Sequence, residues 1–402
     1  MDVVTCGTDD KAEAKKFSST LMAGSWTQHG YKMAPDGSAL VLPLEDGFEV
    51  RRGGEKWKHD FPMISAIDRD LFWAPDSKRF VFRMPDANMS LGLVDLSDPG
   101  SHKAIYSPPQ GSTIRGFEWS PKNDLVFILE GFEDQDKDKR VEGDRIKAID
   151  PSTGKAREIY RSTATISFFM PPVSRFQGGQ GPSSKDYRLV LGTASGLFLV
   201  KPDGSDVTCL TELPCTGLTN LEWSPADDKI VLFFRMPTKS KKGMLKGTYL
   251  VHLDRRRKDL PKGAADDSIF EQLTSALDVH TLWFSPKGKY VAWASQDAVW
   301  YREPNGKDAV KVECKDDKGL PLQVRGCAWD ATEQRLAITA GNRLYVHEPG
   351  KKQPPRLVKE FPNDVGDTGF AAEPSWRGDE LVLTIFNGVG KKPGSKSDDQ
   401  KK

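Results

Sequence analysis

Residues able to do chemistry are scattered along this chain, and their spacing lacks the usual catalytic arrangements. The six histidines (His29, His59, His102, His252, His280 and His347) contain no His-x-x-x-His pair, and the five cysteines contain no Cys-x-x-Cys. Neither set therefore has the spacing of a metal site. No Gly-x-Ser-x-Gly elbow presents a serine nucleophile and no glycine loop cradles a phosphate; Gly192-Thr-Ala-Ser-Gly196 reads as a hairpin turn. On this basis no catalytic residue, metal ligand or cofactor is assigned.

What remains is placed charge. The tetrapeptide Phe-Arg-Met-Pro occurs twice, at 82–85 and 234–237, setting Arg83 and Arg235 between apolar residues. Each arginine could pair with an acid of a neighbouring structural unit, or face the carboxylates or phosphates of a partner. The stretch 133–144 carries Glu133, Asp134, Asp136 and Asp138 in a calcium-like rhythm. An EF-hand would need Gly where Lys139 stands and Glu where Arg145 stands, so a solvated acidic loop is the better reading. The stretch 239–246 is basic, with Lys239, Lys241, Lys242 and Lys246, and a third segment holds Arg255, Arg256, Arg257 and Lys258. Those last four could contact phosphate, but no aromatic side chain interleaves with them to stack a base; RNA is an alternative partner, not the favoured one.

Composition bounds these choices. With 58 basic against 57 acidic residues in 402, no global field steers nucleic acid or membrane. Apolar runs such as 197–200 and 230–234 are strand-sized and too short to span a bilayer, so the chain reads as soluble. No secretory signal is visible, which makes the cytoplasm the default. A cell-envelope alternative rests on 3–7, Val-Val-Thr-Cys-Gly, which is similar to the end of a lipoprotein signal, with Cys6 as the lipidated residue. In that compartment Cys209 and Cys215, and Cys314 and Cys327, could form two disulfides; the plainer expectation is four thiols behaving as small hydrophobes.

The elements that must position these groups announce themselves by repetition. One phrase returns at Met33-Ala-Pro-Asp-Gly37, Trp73-Ala-Pro-Asp-Ser77, Trp119-Ser-Pro-Lys-Asn123, Trp223-Ser-Pro-Ala-Asp227 and Phe284-Ser-Pro-Lys-Gly288, with looser copies at Trp329 and Trp376. Each copy precedes an apolar run such as 80–82, 125–129 or 230–234. The aromatic ends an inner strand and packs between sheets, Pro sets φ at the turn, and the next strand is apolar throughout because both its faces are covered. The prolines at 35, 75 and 121 lie 40 and 46 positions apart, the period of propeller blades. The phrase resembles the Trp-Ser-Pro-Asp-Gly repeat of TolB-type propellers, shared with the propeller domains of prolyl-oligopeptidase-like peptidases, over nearly the whole chain. It is less similar to the WD40 repeat, since Trp-Asp occurs once, at Trp329-Asp330, and no Gly-His opens the blades.

The expectation is an all-β chain forming a single propeller of four-stranded antiparallel blades, eight favoured and seven the alternative. Blade four lacks the phrase and carries a Gly/Ser/Pro-rich insertion at 171–186. The last unit has only two strands, so 1–25 is expected to supply the missing ones (2–6 and 17–22), with the propeller over 26–387 and a disordered basic tail at 388–402. A strand at 2–6 and a lipid on Cys6 are mutually exclusive. In a four-stranded blade the connection between strands two and three shares a face with the links between blades, which puts Arg83, Arg235 and both charged stretches on one face. Opposed charges on a rigid many-loop platform suit protein docking. The expected function is a non-enzymatic scaffold binding other protein subunits. The alternatives are an enzyme or a sugar or peptide binder at the central channel, with His280 and His29 nearest the inner strands, and an RNA-associated scaffold.

Overall fold

A computed structural model describes residues 2–7, 15–19, 32–44, 46–61, 71–86, 88–136, 139–172, 187–215, 217–226, 228–240, 243–257, 259–261, 264–351, 353–361, 374–377 and 379–385. These form eight antiparallel sheets of four strands each. Blades one to seven take consecutive strands within 32–60, 71–106, 113–162, 166–211, 218–274, 281–312 and 324–360. Blade eight is composite: Ser375–Arg377 and Glu380–Ile385 are its inner strands, and Asp2–Gly7 and Lys15–Ser19 its outer ones. The strand Asp2–Gly7 pairs with Glu380–Ile385 from Asp2↔Ile385 to Gly7↔Glu380, so the two ends of the chain close the ring. Of the two exclusive expectations for Cys6, the pairing Cys6↔Leu381 realises the strand and not the lipid tether. The second outer strand begins at Lys15 rather than at 17 because its ladder with Asp2–Gly7 runs to Thr5↔Lys15.

The repeated phrase does the packing its residue types suggest. Trp73, Trp119 and Trp223 end inner strands and Trp376 lies within one, and each indole N–H donates to a backbone carbonyl of the preceding blade: Lys32 (3.0 Å), Phe72 (2.9 Å), Met170 (3.2 Å) and Ala328 (2.9 Å). A buried indole needs such a partner, and the neighbouring inner strand offers one. Second strands are buried along their length, as in Leu336–Ala340 and Val291–Ala294. Cys209, Cys215, Cys314 and Cys327 are buried thiols and none forms a disulfide. Burial pushes the Cys215 and Cys314 thiols up to about 12, which makes them inert packing groups. The plainer of the two expectations, thiols packed as small hydrophobes, is the arrangement these four residues take. Among the described residues no helix is long and apolar enough to cross a membrane.

Candidate protein-binding face

The two Phe-Arg-Met-Pro copies occupy equivalent places. Phe82 pairs with Leu71 on the inner side and Gly92 on the outer, and Phe234 pairs likewise with Leu218 and Gly247. Both phenylalanines are fully buried. Gly92 is required where it stands, since a Cβ there would run into the Phe82 ring. Beyond these residues the copies diverge. Met84 closes onto Ser90 and blade two's ladder ends before Pro85. In blade five the strand Lys229–Ser240 runs on past Pro237, which sits in a bulge between Phe234 and Thr238, where its missing N–H costs no ladder bond. Proline thus ends the ladder only in the first copy.

The arginines diverge as well. Arg83 is half-buried and its Nη1 donates to the Ile114 carbonyl of blade three at 2.5 Å. Arg235 is exposed, and its side chain makes no hydrogen bond or ion pair with a described residue. Arg83 joins two blades; Arg235 faces solvent on the face where blades are linked.

Both charged stretches, read as loops, are two-stranded ribbons. In blade three, Val126–Asp136 pairs with Lys139–Ile149 without a break from Val126↔Ile149 to Asp136↔Lys139. The inner strand stops at Thr113↔Gly131 and the outer at Asp144↔Ser162, so the last five pairs stand alone. At about 3.3 Å per residue the ribbon reaches roughly 16 Å past the blade. In blade five, Gly243–His252 pairs with Lys229–Ser240, and Thr238↔Leu245, Lys239↔Met244 and Ser240↔Gly243 form a shorter ribbon. Residues 133–144 hold six acids and three bases; 235–246 hold five bases and no acid. The backbone places Asp134, Asp136 and Lys239 on these ribbons, while Asp138, Lys241 and Lys242 lie outside the described residues.

The acidic ribbon has a rigid root. Glu130, fully buried, accepts from Arg145 Nε (2.6 Å), Lys147 Nζ (2.9 Å) and the Tyr106 hydroxyl, while Lys147 also donates to Tyr106 (2.7 Å). Burial and the neighbouring carboxylate push the Tyr106 hydroxyl well above its usual range, so it stays a donor. Asp144, also buried, accepts from Arg115 Nη1 (2.5 Å) and the Ile166 N–H (2.6 Å). The Phe132 ring meets the guanidinium groups of Arg145 and Arg161, at 5.1 and 4.3 Å. Gly143 crosses the Ser162 carbonyl so closely that no Cβ would fit. The basic ribbon is held more lightly: Leu245 is buried, Gln272 Nε2 donates to the Lys246 carbonyl (2.7 Å) and Phe234 meets Tyr249 edge to face.

On the opposite face, the arginine segment spends much of its bonding capacity on its own fold. Arg256 Nη2 donates to the Ala264 carbonyl (2.9 Å), and the Arg257 N–H donates to Asp266 (3.0 Å), with Arg257 Nε 3.7 Å from the same buried carboxylate. Arg255 Nη2 donates to Asn305 Oδ1 of blade six (3.0 Å). Lys258 lies outside the described residues. The segment is thus a fold-stabilising loop before it is a phosphate-binding one.

The histidines nearest the inner strands do not gather a site. His280 is exposed just before the inner strand Thr281–Phe284, and His29 lies outside the described residues. Among the described residues no three His, Cys, Asp or Glu side chains converge as metal ligands. The histidines that matter structurally are others. His59 stacks on Phe48 (4.6 Å), holds the Pro99 carbonyl with Nε2 (2.8 Å) and meets His102 Nδ1 to Nδ1 (3.4 Å) across the seam between blades one and two. His252 Nε2 and Arg302 Nη2 share the Glu271 carboxylate (2.9 and 2.5 Å) between blades five and six. The one sequence signal for His59 is alternation in Glu55–Asp60, where Trp57 and His59 turn inward and their neighbours outward.

No family model and no curated protein matches the chain. Solved structures similar to it include an oligogalacturonate lyase from Vibrio parahaemolyticus, with 12% identity, a TM-score of 0.47 and coverage of 83% of this chain and 89% of that one. The β-propeller domain of Cps50 (Swd1) from Myceliophteria thermophila is 13% identical, with a TM-score of 0.45 and coverage of 81% and 99%. A eukaryotic initiation factor is 12% identical, with a TM-score of 0.48 and coverage of 90% and 96%. The propeller assignment itself rests on the chain's own strand pairing.

Proposed function

We propose that this protein is a non-catalytic scaffold that docks other protein subunits on the face carrying the two ribbons, as part of a larger cytoplasmic assembly, and that its repeat phrase marks a TolB-type or WD40-like lineage. One observation carries the reading: two ribbons of opposite charge project from the same face of a closed propeller, the acidic one locked at its root by Glu130 and Asp144. Rigid presentation lowers the ordering cost of association, and opposed charge sets orientation and on-rate.

The test is capture from native extract with mass-spectrometric identification, comparing the wild type with Lys239→Glu/Lys246→Glu and with Glu133→Lys/Asp136→Lys. Partners lost from a variant that keeps its melting temperature would support the reading. Wild-type protein recovered alone, or partners retained by both variants, would sink it.

A further inference from the structure

Both ribbons leave strand edges open. Beyond Thr113↔Gly131 and Asp144↔Ser162 in blade three, and beyond Leu218↔Phe234 and Thr248↔Thr274 in blade five, no described strand flanks them. Exposed edges of this kind invite pairing with a further strand, and their charge decides which strand is admitted. Residues 133–143 hold five acids and three bases, and the connections beside this ribbon, 84–90, 107–112, 163–165 and 194–195, add Asp86 and no base. The bases at its root are engaged within the blade: Arg115 by Asp144, Arg145 and Lys147 by Glu130, and Arg161 by Glu158. Residues 235–246 hold five bases and no acid. The connections next to that ribbon, 212–217, 275–280 and 295–298, supply three acids, Glu212, Asp278 and Asp297, so positive charge still prevails.

We propose that the face carrying the ribbons pairs with the same face of a second copy of this chain. The inference rests on the docking reading of that face given above and names its partner. The ribbons stand on blades three and five, with blade four midway between them. When two propellers meet face to face about a two-fold axis that lies between them and runs over blade four, each blade three comes opposite the other copy's blade five. Every acidic ribbon then meets a basic one, twice per dimer. An axis over blade three or blade five would instead set like charge on like, so the charges select one arrangement. The acidic ribbon, roughly 16 Å long, holds the two faces about two Debye lengths apart at physiological salt, which screens their remaining charges from each other. Contacts between ribbons are narrow and charged, which makes the dimer reversible and salt-sensitive, and the two-fold axis joins two of them into a bivalent pair.

The test is sedimentation velocity on the purified full chain. Wild type should pass from monomer to dimer as its concentration rises at about 0.05 M salt and return to monomer at about 0.5 M. Glu133→Lys/Asp136→Lys makes both ribbons basic, and Lys239→Glu/Lys241→Glu/Lys246→Glu turns the basic ribbon acidic. Each variant alone should dimerise at least ~10-fold more weakly than wild type at unchanged melting temperature, a difference of about 1.4 kcal/mol. Mixed together they should dimerise again, and so should a chain carrying all five substitutions, because both restore opposite charges across the axis. Arg255→Glu, on the other face, should leave the dimer unaltered. A wild type that stays monomeric at low salt, a dimer indifferent to salt, single-ribbon variants that still dimerise, or a mixture and a fivefold variant that both stay monomeric would each overturn the inference. A monomer that nevertheless captures other proteins from extract would sink this inference and spare the docking reading; a charge-swappable dimer that captures none would do the converse.

Discussion

The indole N–H of Trp119 donates to the carbonyl of Phe72, one blade upstream, at 2.9 Å, whereas the equivalent indole N–H of Trp329 is buried without an acceptor among the described residues. Trp329 instead stacks flat on Tyr290 (5.1 Å) and meets Tyr301 edge-on (5.8 Å). Trp119→Phe should therefore cost about 1 kcal/mol more than Trp329→Phe, the net worth of one hydrogen bond. Urea unfolding of the two variants checks this, and equal losses would refute it.

Glu130 is a buried carboxylate with two cations and a phenol around it. Glu130→Ala leaves Lys147 without the carboxylate it pairs with and Arg145 with the more distant Glu158 (3.9 Å), and should cost about 3–5 kcal/mol, the usual penalty for breaking one side of a buried pair. Because those residues root the acidic ribbon, limited proteolysis should cut near 137–138 faster in the variant. Unchanged melting and unchanged cleavage would remove Glu130 from that role.

The two arginines of the repeated tetrapeptide should separate experimentally. Arg83→Ala loses a bond to blade three and should lower stability by about 1–2 kcal/mol, as for a charged donor removed from a carbonyl. Arg235→Ala should change stability by less than about 0.5 kcal/mol, as surface substitutions do. On the reading proposed above it should weaken partner capture. Reversed effects on melting would contradict the geometry.

Burial lowers the pKa of both His59 and His102 below the ordinary imidazole value. The unfolded chain then binds more protons than the native one, so this contribution to stability is complete above the unfolded value near 6.5 and is lost as pH falls below it. With His59 Nε2–H donating to Pro99, its Nδ1 can accept a proton shared with His102, but a second proton would set two N–H groups against each other. Asp60 is the nearby acid that partly offsets the charge. The difference in unfolding free energy between pH 7.5 and 5 should shrink in His102→Gln; an identical pH slope in the variant would exclude the pair as its source.

Ring closure depends on residues from the far end of the chain. Removing 1–19 strips both outer strands from blade eight and leaves Glu380–Ile385 with an open edge. The truncated protein should melt earlier and aggregate, and a peptide of residues 1–20 added in trans should restore it. Normal melting of the truncated protein would mean that the termini do not close the ring.

Several of these relationships could be read before folding and others could not. The blade repeat was legible because its signals are local: an aromatic, a proline turn and an apolar run decide each strand pair within about fifteen residues. The closing strands were legible by arithmetic, since a two-stranded last unit needs partners. The ribbons were misread as loops because alternating charge at 133–144 is the pattern of both a solvated loop and a solvated strand pair, and only the unbroken register from Val126↔Ile149 outward tells them apart. Identical tetrapeptides left Arg83 and Arg235 indistinguishable in sequence. Their fates were set by what the adjacent blade presents, a carbonyl at Ile114 in one case and open solvent in the other. The His59–His102 contact and the sharing of Glu271 both lie in seams between blades. The sequence by itself determined the blades, because strand and turn propensities act between near neighbours; the tertiary structure alone decided which charged groups meet, because blade-to-blade contacts join residues some 30 to 50 positions apart that no local pattern couples.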